Sequence, residues 1–354
     1  MGRGNRPVVK GDKAIRFWDI AVVIGVFAVV MQIVPLLVWA ERRISALIQD
    51  RVGPNRVGPF GLFQPLADAI KLLFKEDVIP DGADRFLFVL APALAFFPAA
   101  MTATVIPFGA PMLIGGEMLQ LQVCRGNVGM MLFMALTGLS VYGIAFGGWA
   151  SNNKYAMLGS LRASAQVLSY EIAMGIALVS VFMTSQSVDL NTIVADQTGT
   201  WMGFVPKWNV LKQPLAFVIF FIAAFAETNR LPFDLAECEA ELVGGYHTEY
   251  SSMKFSLFFL AEYAAMFSSC CMITTLFLGG WSFPGMPAGE TGKLFSLLTV
   301  AVFFTKVAVL LFFFIVVRWT LPRFRFDQLM HLGWKTLIPL GLANIAATGV
   351  AAQL

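Results

Sequence analysis

Residues 17–40 read FWDIAVVIGVFAVVMQIVPLLVWA, an apolar run that stops at the charged triplet Glu41-Arg42-Arg43. About 20 consecutive apolar residues form an α-helix that crosses the hydrocarbon core of a bilayer. The apolar core of a cleavable signal peptide is shorter, about 7–15 residues. The run therefore predicts a first transmembrane helix with the charged triplet at its membrane edge.

The rest of the chain repeats this apolar character. Of its 354 residues, 58% are hydrophobic and 13% charged, and the mean hydropathy of +0.73 exceeds what a soluble core of this size requires. In lipid, only helices and closed barrels satisfy the backbone, and the alternation of barrel strands is absent. We therefore expect an all-α, polytopic transmembrane bundle that forms one membrane domain over residues 1–354. Eight spans are predicted, at residues 17–40, 85–106, 127–150, 165–185, 214–231, 255–279, 295–317 and 335–352.

The distribution of lysine and arginine predicts the orientation of these spans. Of the 25 Lys and Arg residues, fifteen fall in odd-numbered loops, nine in the N-terminal tail and even-numbered loops, and one, Lys306, within a span. The odd-numbered loops are therefore expected to face the cytoplasm, with both termini on the opposite side. The first cytoplasmic loop covers residues 41–84 and the third covers residues 226–254. We assign no role to the tail, residues 1–16.

The first cytoplasmic loop contains an amphipathic segment, GLFQPLADAIKLLFKE, at residues 61–76. Its apolar side chains recur at helical spacing while Gln64, Asp68 and Lys71 fall on the other side, which predicts a helix lying in the plane of the interface. The preceding stretch RVGPNRVGP (51–59) contains two Gly-Pro pairs that fix turns. The segment is either a surface anchor or a wall for an amphipathic, lipid-like molecule.

The third cytoplasmic loop contains six carboxylates, and Arg230 is the only Lys or Arg among them. Acids at a membrane edge lose hydration and repel one another, so full ionisation is disfavoured, and such clusters handle protons, cations or charged partners. In a helix, Asp234, Glu237 and Glu241 would share one face. The alternative is a solvated acidic face that docks a basic partner. The six carboxylates are Glu227, Asp234, Glu237, Glu239, Glu241 and Glu249.

Ionisable residues also lie inside predicted spans: Glu171 in the fourth, Glu262 in the sixth and Lys306 in the seventh. A charge at such depth costs about 2.5–3.5 kcal/mol on insertion scales, so it is retained where it is paired, faces water or functions. One interpretation is a structural pair between a glutamate and Lys306. A functional role is favoured because one lysine cannot neutralise Glu171, Glu262 and the nearby Glu227.

The histidines and cysteines do not indicate a redox centre. His247 and His331 fall in polar connections, whereas a membrane haem takes its ligands from within the spans. None of the four cysteines forms a C-x-x-C pair, which argues against an iron–sulfur or zinc site. We therefore expect no metal site and no redox centre on this chain itself.

Five motifs occur in the order in which one known family carries them. They are WAERR (39–43), RVGPNRVGP with GLFQPLADAIKLLFKED (51–59 and 61–77), GWASNNKYAMLGSLRASAQVLSYE (148–171), AETNRLPFDLAECEAELVGGYHTEYSSMKF (226–255) and WTLPRFRFDQLMHLGWK (319–335). From Phe17 to Leu340 the chain resembles the H-subunit family of bacterial proton-translocating NADH:quinone oxidoreductase. This enzyme is respiratory complex I, and the mitochondrial counterpart of the family is its subunit 1.

The resemblance implies a place and a set of partners. It implies the heel of the membrane arm in the bacterial inner membrane, where the chain forms the membrane-side wall of a tunnel for ubiquinone or menaquinone. FMN and iron–sulfur clusters are then expected only in partner subunits, and the partners are other subunits, quinone and lipids but no nucleic acid. Matching positions imply quinone-binding roles for Arg42, Asp68, Lys71 and Phe233. They imply a proton path through Glu171, Glu227, Asp234, Glu237, Glu239, Glu241, Glu249 and Glu262.

The sequence also departs from the family, and two other functions compete. Some relatives carry a further acid on the third span, where this chain has Gly138-Leu139-Ser140. A membrane subunit of an energy-converting hydrogenase or formate hydrogenlyase would share the acidic path without reducing quinone, but the full VGPNRVGP turn and GYHTEYSSMKF favour the quinone enzyme. A stand-alone cation transporter is disfavoured because the chain shows no inverted repeat.

Overall fold

The computed structural model describes residues 17–114, 117–201, 205–236, 243–286, 292–351 and 353. Glu237, Glu239 and Glu241 of the predicted proton path therefore lie outside the described residues. Two of them, Glu237 and Glu241, are the acids expected to share a helical face with Asp234. The N-terminal tail, residues 1–16, also lies outside them.

Helices dominate the described residues, and the fold class predicted from sequence is confirmed. In chain order they are α1 (Phe17–Ile48), α2 (Gln64–Phe74), α3 (Arg85–Met101), α4 (Gly129–Ala150), α5 (Lys154–Ser185), α6 (Leu190–Asp196), α7 (Asn209–Lys212), α8 (Pro214–Glu227), α9 (Ser252–Phe277), α10 (Lys293–Thr320), α11 (Phe326–His331) and α12 (Ile338–Ala351). Short 3-10 turns cover Pro59–Gly61, Thr102–Val105 and Gly245–His247, and Leu332–Leu337 is a π-helical segment. Two small antiparallel pairs join β1 (Met112–Ile114) to β2 (Glu117–Leu119), and β3 (Thr200–Trp201) to β4 (Val205–Pro206).

Among the described residues, six helices are long and apolar enough to cross a membrane. They correspond to α1, α3 with its 3-10 extension, α4, α5, α9 and α10. The other two predicted spans coincide with shorter helices, α8 and α12, each of 14 residues. The count of eight spans therefore stays a prediction.

Several helices differ in length from the predicted spans, and local chemistry explains two of the differences. Helix α5 begins at Lys154 rather than near residue 165, because the Asn153 side chain accepts a hydrogen bond from the Tyr155 amide and caps the first turn. Helix α1 continues past Ala40 to Ile48, so the charged triplet lies on the helix instead of in a loop. As a result, Glu41 and Arg42 point away from one rigid element in different directions.

The bundle is built around α9, whose C-terminal half is fully buried and includes Phe267, Cys270 and Cys271. Helices α3, α4 and α5 pack in succession, with α3 also against α9 and α8 against α5. Glycines permit this close packing: a Cβ at Gly143 on α4 would lie 2.4 Å from the Ala95 backbone nitrogen on α3. Small residues at helix contacts let membrane helices approach closely.

Helix α2 lies outside this bundle and presents its apolar side outward. The predicted amphipathic helix is confirmed at Gln64–Phe74, and no residue in it is buried. Leu66, Ile70 and Leu73 remain 47–60% exposed. This exposed apolar surface is available to lipid or to another hydrophobic molecule.

Candidate functional site: a buried line of charges

A buried ion-pair cluster lies where α1, α9, α10 and the turn after α8 meet. Arg230 donates through Nη1 to Oε2 of Glu41 at 2.7 Å, and its Nε lies 3.8 Å from Oε2 of Glu262. Arg318 on α10 donates to the other carboxylate oxygen of Glu41. The guanidinium carbon of Arg230 also lies 4.1 Å from the centre of the Tyr263 ring, a cation–π distance. The negative charges of the two acids and the positive charges of the two arginines thus compensate one another.

The environment of Arg230 keeps this residue charged. Burial alone lowers the pKa of the guanidinium, but Glu41, Tyr263 and Glu262 raise it, and the net direction is upward. The side chain is only 6% exposed. Such a buried pair is costly to break because the remaining partner would be an uncompensated charge.

A single carboxamide fixes the turn that carries these groups. Gln166 on α5 is fully buried, and its Nε2 donates at 2.8 Å to the carbonyl oxygens of Ala226 and Phe233. The Asn229 carboxamide oxygen lies 3.3 Å from the same nitrogen. The two ends of the turn are therefore tied to α5, which positions Glu227 at one end and Arg230 within it.

Two of the predicted proton-path acids share a small cavity lined by both polar and apolar residues. Glu227 at the end of α8 and Glu262 on α9 both line a cavity of about 40 Å³, together with Ser140 and Asn229. That volume holds one or a few waters, since a water needs about 10–15 Å³ of such space and polar partners. Tyr246 also lines the cavity, and its hydroxyl lies 3.4 Å from Oε1 of Glu262. The cavity can therefore join the two acids through water.

A third predicted acid, Glu171 on α5, extends this line. It lies close enough to Glu227 for their charges to repel, and the Thr137 hydroxyl on α4 is within hydrogen-bond reach of Glu227. The glycine at 138 makes room for the carboxylate, because a Cβ there would lie 3.1 Å from Oε1 of Glu171. The third span thus contributes space and a hydroxyl where some relatives carry an acid.

Arg42 and Asp68, two predicted quinone-binding residues, are brought together at 2.5 Å. Gln64 donates to the other carboxylate oxygen of Asp68 at 3.1 Å. Lys71 lies one turn further along α2 and is exposed. Because Arg42 follows Glu41 in α1, this polar patch on α2 is adjacent to the buried charge cluster.

The remaining predicted site residues lie elsewhere. Phe233 is 5% exposed and packs between Tyr170 and Phe324, with ring centres 5.8 and 5.4 Å away. Asp234 is 2.9 Å from Nη2 of Arg323. Glu249 accepts a hydrogen bond from Asn153 at 2.6 Å and lines a surface cleft. These groups surround the acidic turn but do not line the small cavity.

Lys306 makes contacts that differ from the structural pair considered above. Its Nζ donates to the carbonyl oxygens of Leu278, Gly280 and Ser282 at 2.6–3.0 Å. It also lies 4.8 Å from the centre of the Trp208 ring. The lysine therefore secures the chain after α9, and Glu262 has Arg230 as its counter-charge.

His247 lies among aromatic rings near the cavity, with Tyr246 and Phe255 at 5.1 and 5.2 Å between centres. Burial lowers its pKa to about 4 from 6.5, so the unfolded state binds more protons between these values. Its contribution to stability is present above pH 6.5 and decreases as pH falls towards 4. We expect acidification from pH 7.5 to 5 to lower the thermal midpoint of the assembled complex more in wild type than in His247→Phe.

The control for this prediction is His331→Phe, because His331 is exposed at the end of α11. That variant should keep the wild-type pH dependence. An identical response of wild type and His247→Phe would contradict the assignment.

Sequence reasoning missed four members of the site. Glu41, Arg318, Tyr263 and Gln166 were not predicted to act, although Glu41 follows directly on the first apolar run. A carboxylate at the end of a span, and a single arginine within an acidic stretch, were available signals for a buried pair. Nothing in the sequence distinguished Gln166 from other polar residues on α5.

These features define a class: a polytopic α-helical membrane protein with a line of buried and half-buried ionisable side chains between its helices. Comparison with known proteins narrows this class to one family. The profile of the NADH dehydrogenase family matches residues 20–349, and the chain belongs to this family.

Curated relatives align over almost the full length of both chains. An H subunit of the NADH-quinone oxidoreductase of Geobacter metallireducens is 53% identical over 338 residues, 96% of each chain. The corresponding H subunit of Cytophaga hutchinsonii is 48% identical over 94% of this chain and 96% of the relative. The "NADH-quinone oxidoreductase subunit 8" of Rhodothermus marinus is 46% identical over 95% and 98%, respectively. The resemblance stated from the sequence is confirmed.

Proposed function

We propose that the chain is the membrane subunit of an NADH:quinone oxidoreductase. In this proposal it forms the membrane-side wall of the quinone tunnel, and its acids couple quinone reduction to proton translocation. One observation carries the proposal: Glu41 and Arg42 are neighbours on α1. Glu41 lies in the buried ion-pair cluster, and Arg42 is paired with Asp68 on α2. A polar surface beside an exposed apolar helix is thereby joined to buried acids. The names of the relatives supply the substrate class, a quinone.

The quinone side of the proposal rests on α2. A quinone has an apolar tail and a polar head, and α2 offers exposed leucine and isoleucine side chains beside Asp68 and Lys71. Arg42 holds Asp68 in place by an ion pair that is partly exposed. An amphipathic substrate could slide along this face with its tail on the apolar side.

The proton side rests on the buried line. Reduction of quinone to quinol takes up protons with the electrons, and so changes the charge near Arg42 and Glu41. Glu41 shares Arg230 with Glu262, so a change of charge at one acid alters the attraction between the arginine and the other. Glu262 and Glu227 can then exchange protons through water in the cavity that they share, and repulsion between Glu227 and Glu171 couples the protonation of Glu171 to theirs.

The remaining parts of the function come from the same proposal. FMN and iron–sulfur clusters would reside in partner subunits, and this chain would carry no redox centre. We place it in the bacterial inner membrane with its odd-numbered loops in the cytoplasm, where the acidic turn and the surface cleft at Glu249 would contact the hydrophilic arm. Phe233 and Asp234 would border the quinone tunnel and the acidic path.

Lys71→Ala tests the quinone side. The substitution removes an exposed cation from the proposed tunnel wall without opening a core, so the assembly should form normally. We expect the apparent KM for a short-chain quinone and the half-inhibitory concentration of a quinone-site inhibitor to rise about three- to tenfold, which corresponds to about 1 kcal/mol of lost binding. Both are measured as NADH-driven quinone reduction by the purified complex.

The matched control is Lys75→Ala, at the end of the same helix. Lys75 is also exposed and lies outside the Arg42–Asp68 patch, so its removal should leave both constants unchanged. Equal kinetics for wild type and Lys71→Ala would show that α2 is a surface anchor and does not bind quinone.

A further inference from the structure

An apolar cavity of about 350 Å³ lies between α1, α10 and the first strand pair, away from the charged site. Gly25 lies in its wall, and a Cβ there would have no atom within 4 Å. Its lining is Ala21, Val22, Gly25, Val26, Val29, Phe108, Met112, Leu119, Leu121, Val300 and Phe304.

The cavity is distinct from the proposed quinone wall. Gly25 and Arg42 are 17 positions apart in α1, which places them about 25 Å apart along the axis at 1.5 Å per residue. The cavity therefore belongs to the N-terminal half of α1, away from the end of the helix that carries Arg42. Ile20 and Ile24 beside it are 49% and 63% exposed on the outer surface of the bundle.

The lining decides what kind of molecule can fill the cavity. Every lining side chain is apolar, and a buried water needs two to four polar partners. Water is therefore a poor occupant, and an empty space would forfeit dispersion contacts. A hydrocarbon chain that enters from the bilayer satisfies both conditions.

A polar pocket of about 270 Å³ adjoins the apolar cavity, and Val22 lines both. Asp19, Gln122 and Arg125 line the polar pocket. Nη2 of Arg125 lies 3.2 Å from Oδ1 of Asp19, and the two side chains are 41% and 43% exposed. The mouth thus presents a positive and a negative group side by side, both accessible from outside.

We propose that these two pockets together bind one phospholipid with a zwitterionic, ammonium-bearing headgroup. One acyl chain fills the apolar cavity, the phosphate accepts hydrogen bonds from Arg125, and the ammonium donates to Asp19. A guanidinium is well suited to phosphate and a carboxylate to an ammonium. This site is independent of the proposed function.

The pairing of charges explains the choice of headgroup. A purely anionic headgroup would meet Arg125 but also the carboxylate of Asp19, which repels it. A choline headgroup carries a cation that has no N–H to donate to Asp19. Phosphatidylethanolamine is therefore expected to bind best, with phosphatidylglycerol and phosphatidylcholine weaker.

The test uses the complete respiratory assembly purified with this chain. The complex is stripped of lipid with detergent, incubated with deuterated palmitoyl-oleoyl phosphatidylethanolamine, washed, and analysed for retained lipid by mass spectrometry. Gly25→Leu, which fills the cavity, should lower retention by about one lipid per chain. Gly175→Leu is the matched control, because Gly175 is another helical glycine with open space around it, on α5, and it should retain the wild-type amount.

The headgroup contacts are tested separately, so that the proposal does not depend on how well Gly25→Leu assembles. Arg125→Gln and Asp19→Asn change exposed side chains. Arg125→Gln removes the phosphate contact and should lower the retention of ethanolamine and choline lipids alike. Asp19→Asn removes the ammonium contact and should reduce the preference for ethanolamine over choline lipid, which we expect to be about tenfold in wild type. Equal retention by wild type and Gly25→Leu, or no headgroup preference in wild type, would overturn the proposal. Retention of diacylglycerol equal to that of the phospholipid would also overturn it.

Discussion

Replacement of Arg230 by methionine is expected to destabilise the protein by about 3–5 kcal/mol, the cost of removing one partner from a buried ion pair. Methionine fills much of the arginine volume, so the loss is electrostatic. Glu41 would retain Arg318, but Glu262 would lose the guanidinium that lies 3.8 Å away. We expect little assembled complex in membranes, measured by immunoblotting of native gels, and a lower thermal midpoint in what remains.

The matched control is Arg325→Met. Arg325 pairs with Asp327, but the two side chains are 78% and 77% exposed, and exposed pairs contribute about 0–1 kcal/mol. Its assembly level should equal that of wild type. If Arg230→Met assembled as well as Arg325→Met, the cluster would not stabilise the fold.

A charge-balanced double variant distinguishes the effect of breaking the ion pair on stability from the effect of losing the arginine side chain. Glu41→Gln with Arg230→Gln removes one charge of each sign and leaves one acid, Glu262, and one arginine, Arg318, in the cluster. We expect the double variant to be less destabilised than the sum of the two single variants, because groups in contact are not additive. A strictly additive result would show that the two side chains act independently.

The sequence predicted those parts of the molecule that depend on local pattern. Apolar length predicted the six helices that are long enough to cross a membrane, and the 3.6-residue repeat predicted α2 within three residues at its start. The acidic turn and the acids Glu171 and Glu262 were selected as candidates because charge is conspicuous in an apolar chain. Each of these signals is contained in one contiguous segment.

The parts that sequence reasoning missed depend on contacts between distant segments. Glu41 and Arg318 are 277 positions apart, and Gln166 reaches Phe233 across 67 positions. No periodicity within one helix indicates such a partner. The role of Gly138 was also hidden, because the absence of a side chain there matters only once Glu171 is known to occupy the space.

Phe233 shows a different limit: a family motif transfers the role of a residue without showing the structural environment of its side chain. The resemblance implied contact with quinone, but its ring is buried between two aromatic neighbours. A role in shaping the acidic turn fits this position, since its carbonyl oxygen accepts from Gln166. Whether it also reaches quinone stays a prediction.

Glu227→Gln is the second change for which we expect a large effect, on coupling and not on stability. Glutamine keeps the size and shape of the side chain but cannot take up and release a proton. Oε2 of Glu227 is buried without a hydrogen-bond partner among the described residues, and glutamine retains an oxygen that the Thr137 hydroxyl can reach. The variant should therefore assemble at the wild-type level, in contrast to Arg230→Met.

The functional loss should be substantial because Glu227 lies between the other two acids. It shares the small cavity with Glu262 and is electrostatically coupled to Glu171, so its replacement interrupts the line at its centre. We expect proton uptake by inverted vesicles, followed with a pH-sensitive dye, to fall about 10²-fold, the lower end of what a positioned proton-transfer group contributes. NADH-driven quinone reduction should fall with it, since the two are coupled.

Glu76→Gln is the matched control, because Glu76 is an exposed carboxylate that follows α2 and lies outside the charge line. It should leave both activities unchanged. Full proton uptake and quinone reduction in Glu227→Gln would exclude this acid from the path. Full quinone reduction with no proton uptake would place Glu227 after the coupling step, since electrons would then flow without protons moving past the interrupted cavity.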